Sequence, residues 1–80
     1  MPITASQMRA ARALIKMEQA ELAQRTGVSV PTIRRMEGGD GDVKGHYDNV
    51  SAIIRELEAA GVIFVAENGE GPGVRLRKDR

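Results

Sequence analysis

Apolar residues recur along the chain at two different periods, and the change of period divides it. Met8, Ala11, Leu14 and Ile15 fall three and four apart and predict one amphipathic helix. Thr4 can cap it, Gln7 can reach back to the cap amide, and Ile3 and Met8 flank the cap as an apolar staple. Further helices are predicted over residues 19–26, with Leu22 and Ala23 inward, and over residues 30–36, with Ile33 and Met36 inward. A fourth follows Asp48 as its cap and runs to about residue 60. Val50, Ile53, Ile54, Leu57 and Ala60 form its apolar stripe, while Arg55, Glu56 and Glu58 face water. Gly61 ends it.

Beyond Gly61 the pattern is that of strands. Val62-Ile63-Phe64-Val65-Ala66 is apolar on both faces, Asn68-Gly69 and Gly71-Pro72-Gly73 mark a turn, and Val74-Arg75-Leu76-Arg77 alternates. The expected fold is mainly α: a four-helix unit over residues 1–61 and a C-terminal β-hairpin over residues 62–80. A lone hairpin is marginal in water, and a strand apolar on both faces needs cover on both. The fourth helix can supply one cover. The second is expected from another copy of the chain, which makes Val62, Ile63, Phe64 and Val65 the dimerisation residues of a two-fold homodimer.

The most constrained spacing lies in residues 19–37, QAELAQRTGVSVPTIRRME. Ala23 is small where two helices must cross closely. Gly27, four residues on, can take positive φ and end a helix sharply. Val28 packs inward, Ser29 can cap the next helix, and Pro31 falls in a first turn whose N–H groups have no helical partner. Val30, Pro31, Thr32, Arg34 and Arg35 remain outward, a polar-to-basic surface suited to a DNA major groove.

Gln19, Leu22, Ala23, Gly27, Val28 and Ser29, continuing through Ile33 to Glu37, Gly38 and Gly39, resemble the helix-turn-helix of the lambda-repressor/Cro (XRE) family. The likeness spans roughly residues 4–60. Glu18 departs from it, standing where the family usually places a Ser or Thr cap. The resemblance implies a lambda-repressor-like DNA-binding domain whose third helix enters the major groove. It places Gln19 on a DNA phosphate, and Ser29, Val30, Pro31 and Thr32 nearest the duplex. Val30 and Pro31 can touch bases only by apolar contact, whereas Arg35 can grip guanine O6 and N7 with its fork. Arg34 points more to the side, toward phosphate. Lys44, with His46 and Tyr47, is expected along the DNA backbone. The family also implies an ion pair between Arg12 and Glu37, joining the first helix to the third.

Composition sharpens this picture. Eighty residues make one small domain that buries about two-thirds of its unfolded surface and is marginal alone. No cysteine or Cys/His cluster provides disulfides or zinc, and His46 is the single histidine. Asp40-Gly41-Asp42 has two residue types of a calcium loop without the remaining ligands, so residues 38–42 are expected to be a flexible connection. No metal, cofactor or small-molecule ligand is expected. No catalytic constellation appears, so an enzyme is not expected. The net charge of +1 hides an asymmetry, with six basic and three acidic side chains in residues 1–37 and one against five in residues 48–70. Met1-Pro2-Ile3-Thr4 opens no basic, apolar leader, and the expected location is the cytoplasm, at the bacterial nucleoid. The expected activity is transcriptional regulation, chiefly repression, by a homodimer on an inverted-repeat operator in double-stranded DNA. The alternative is a protein–protein adaptor, antitoxin-like or antiactivator, that docks through the hairpin edge.

Overall fold

A computed structural model describes residues 2–78. Met1, Asp79 and Arg80 lie outside the described residues, and with them the last two positions of the segment predicted over 62–80. The elements are α1 (Ala5–Ile15), α2 (Gln19–Thr26), α3 (Val30–Glu37), α4 (Tyr47–Ala59), β1 (Val62–Val65) and β2 (Gly73–Leu76). The fold is the mainly helical one expected, four helices with an antiparallel hairpin. No helix among the described residues is long and apolar enough to cross a membrane.

α1 starts where the capping box directs. The Gln7 amide donates to Thr4 Oγ1 at 3.0 Å, and the Thr4 amide donates to Gln7 Oε1 at 2.8 Å. Ile3 and Met8 are both buried, so the staple forms. The helix stops at Ile15 because Lys16 turns left-handed at φ 56°, the single non-glycine residue described with positive φ. Leu14, expected on the buried stripe, is 39% exposed. It stands 60° off Ala11 around the helix axis, on the flank away from the core.

One core serves both predicted parts of the chain. Met8, Leu22, Ile33, Ile53, Leu57 and Val62 are buried in it together, with Phe64 at its margin. β1 and β2 pair Val62 with Leu76, Ile63 with Arg75, Phe64 with Val74 and Val65 with Gly73. Val62 and Phe64 therefore point inward, and Ile63 and Val65 outward. Two of the four residues assigned to dimerisation are consumed by the chain's own core, because β1 packs on α1 as well as on α4. The buried Gln7 carboxamide extends the α1 contact, its Nε2 donating to Val65 O at 3.1 Å and Gly73 O at 2.9 Å.

Two further expectations need correction. Asp48 does not cap α4: the helix begins at Tyr47 after His46, which makes no side-chain cap bond. Asp48 instead sits in the first turn, where its charge meets the positive end of the helix dipole. The connection after α3 is also not loose. Val43 N–H donates to Ile3 O at 2.8 Å and Ala5 N–H to Gly41 O at 2.9 Å, around a bridge between Thr4 and Asp42. The chain entering α1 thus supplies backbone partners that glycine-rich sequence alone does not reveal.

Candidate nucleic-acid interface

The α2–turn–α3 unit is fixed from within. Gly27 adopts φ 79° and its N–H closes α2 on Ala23 O at 2.9 Å. The Thr26 hydroxyl donates to Leu22 O at 2.7 Å and accepts from the Val28 amide at 3.2 Å. Leu22, Val28, Ile33 and Met36 are buried between the two helices and their neighbours. Glu18 precedes α2 without a side-chain cap bond, as its departure from the family pattern implies.

Ser29 caps α3 and does more than cap. Its Oγ accepts from the Thr32 amide at 3.3 Å and donates to Thr32 Oγ1 at 2.9 Å. Thr32 Oγ1 in turn accepts from Arg35 Nη2 at 3.2 Å. The chain Ser29–Thr32–Arg35 runs along the exposed side of α3 and holds the guanidinium back toward the helix start. Ser29→Ala is expected to lower stability by about 1 kcal/mol, the usual worth of a lost cap, measured by urea denaturation.

Arg34 takes a different direction from its neighbour. It lines a shallow groove with Arg12, Glu18, Gln19, Ala20 and Val30 between the first turns of α2 and α3. Pro31, Arg34, Arg35 and Lys44 are exposed, while Gln19, Val30 and Thr32 are half-buried. One rigid face therefore carries a hydroxyl–guanidinium pair beside a groove where a cation meets a helix N-terminus. Such a groove suits a phosphate and the pair suits a base edge.

Behind this face lies the Glu37 carboxylate, 4% exposed. Arg12 grips it with both arms of its fork, Nε at 2.6 Å to Oε2 and Nη2 at 2.7 Å to Oε1. Gln19 Nε2 adds a third donor at 3.1 Å. The hydrogen bond to Glu37 raises the Arg12 pKa above its ordinary value, against the lowering by burial, so the guanidinium stays charged. Gln19, assigned to a phosphate by resemblance, spends one of its two amide hydrogens here and keeps the other for an outside acceptor.

Arg9 was not singled out from the sequence. Its Nη1 donates to the Glu37 carbonyl and to Gly39 O, and its Nη2 to Ser6 Oγ at 3.0 Å. It satisfies the carbonyl end of α3 and complements the negative end of that helix's dipole. The signal available was its place three residues before Arg12, on the same side of α1.

Residues 8–45 match the family model described as helix-turn-helix. The match begins inside α1 and ends just before α4, so it contains the whole α2–turn–α3 unit and the loop after it. No curated protein matches the chain.

Proposed function

We propose that the chain, whose residues 8–45 match the helix-turn-helix family model and form a lambda-repressor/Cro-like, XRE-family helix-turn-helix, is a DNA-binding transcriptional regulator of that type and acts as a homodimeric repressor. It reads an inverted-repeat operator, with one α3 in each of two successive major grooves about 34–36 Å apart. The observation that carries this reading is the Ser29–Thr32–Arg35 chain on the open face of α3. It offers a guanidinium oriented before DNA arrives, which reduces the ordering cost of a bidentate contact to guanine.

The remaining residues divide by chemistry. Val30 and Pro31 supply apolar contact at the start of α3, suited to thymine methyls. Arg34, Gln19 and Lys44 serve phosphates and set the register of the helix in the groove. Repression follows from occupancy: two copies on one face of a promoter exclude polymerase. The cytoplasm, at the nucleoid, is the place of action.

The test is selection from a randomised duplex library at two salt concentrations, followed by Arg35→Ala. A palindromic consensus is expected. The variant should lose about 1–3 kcal/mol on that consensus and relax preference at one position of each half-site. Arg34→Ala should instead weaken all sequences alike and reduce the salt dependence by about one phosphate contact. Retention without a consensus would reduce the protein to a non-specific binder. No retention at all would favour an adaptor.

A further inference from the structure

Tyr47 opens α4 and leaves 81% of its surface in water, far more than Leu14, the other exposed large hydrophobic residue described. It forms one wall of a cleft of about 470 Å³ whose lining also includes Pro2, Val43, Val50, Ile54 and Arg55. An aromatic knob and an apolar hole on the same patch are the components of an isologous contact, in which each copy fills the other. The hairpin is a poorer candidate. Its outward apolar side chains are Ile63 and Val65, with Arg75 directly across from Ile63.

We propose that the second copy of the chain docks on this α4 face, with each Tyr47 ring entering the partner's Pro2–Val43–Val50–Ile54 cleft. The proposal rests on the homodimer reading above and names its surface. Charge supports a second copy as the occupant. Asp48 and Arg55 are exposed and stand two turns apart on one side of α4. When two α4 helices cross antiparallel about a two-fold axis, each Asp48 meets the other copy's Arg55. Ser51, between them on the cleft wall, is small enough for close approach.

Position supports it as well. A Cβ on Gly45, at the cleft, would lie 3.9 Å from Val50 Cγ2 and 4.0 Å from Met36 Cγ, so the cleft adjoins the end of α3. An axis through this face leaves one α3 on each side of it.

Sedimentation equilibrium of the full chain without DNA tests the surface. The wild type should be dimeric at micromolar concentration. Tyr47→Asp should weaken dimerisation at least about a hundredfold. Its thermal melt at concentrations where both proteins are monomeric should not move, because the ring is already in water. Asp48→Arg and Arg55→Asp should each dissociate the dimer, and combining them should restore it. A dimer that survives Tyr47→Asp and Arg55→Asp but falls to Ile63→Asp would overturn the α4 surface and leave the homodimer standing. A wild type that is monomeric in solution and binds the operator as a single copy would overturn both, read from the stoichiometry of the DNA complex.

Discussion

Glu37→Ala should lower unfolding stability by about 3 kcal/mol, near the bottom of the 3–5 kcal/mol range for breaking a buried pair. The lower end applies because Arg12 keeps 19% of its side chain in water, whereas Glu37 keeps 4%. The substitution removes the acceptor of three hydrogen bonds at once, two from Arg12 and one from Gln19. What remains for Arg12 is the Met17 carbonyl at 3.0 Å, a poor exchange for a carboxylate. For a domain of this size the loss corresponds to a fall in Tm of more than about 10 °C. Adding Arg12→Met to Glu37→Ala should recover part of the loss, since no charge is then left without its partner. A single-substitution loss under about 0.5 kcal/mol would mean the two groups behave as an ordinary surface pair.

Gln7→Ala is expected to cost about 2 kcal/mol, because it removes a buried side chain that bonds three half-buried backbone groups. The Thr4 amide loses its acceptor, and Val65 O and Gly73 O lose a shared donor. Gln7→Glu separates the two roles of the side chain. Glutamate serves a capping box as well as glutamine does, so capping alone predicts little change. Here it would set a carboxylate oxygen against two carbonyls in a site that is 5% exposed, and should cost more than alanine. Hydrogen exchange should show the loss first in the hairpin amides, and only later in α2 and α3. Equal protection across the molecule would mean the hairpin does not depend on this link.

The helix-turn-helix was legible because its steric demands fall on single residues. Gly27, Ser29, Ala23 and the apolar spacing around them each have one physical use, and local sequence is enough to read it. The capping box of α1 was legible for the same reason. Long-range polar contacts were not. Gln7 signalled a cap and gave no sign of the two carbonyls some sixty residues away that it also binds. Apolar character on both faces of β1 was read as a need for two covers, one from the chain and one from a copy. Both α1 and α4 pack on the hairpin, which withdraws Val62 and Phe64 from any interface, while Ile63 and Val65 on the opposite face stay half-exposed. An aspartate at Phe64 would therefore unfold the core rather than report on assembly. Tyr47 carried no periodic signal: a lone aromatic at a helix start looks the same in sequence whether it is covered or bare.

The bonds from Gln7 to Val65 and Gly73 also order events in time. During synthesis α1 leaves the ribosome well ahead of residues 62–76, and chains emerge at about 5–20 residues per second. For several seconds the α1 surface that β1 and β2 will cover faces solvent, and the buried amide of Gln7 has water where two carbonyls will be. The helix-turn-helix can assemble in that interval, because Leu22, Val28, Ile33 and Met36 are close in sequence. Arrival of the hairpin is then the step that turns a partly formed DNA reader into a closed domain, so a chain stalled before residue 62 presents an apolar helix face that invites aggregation or proteolysis.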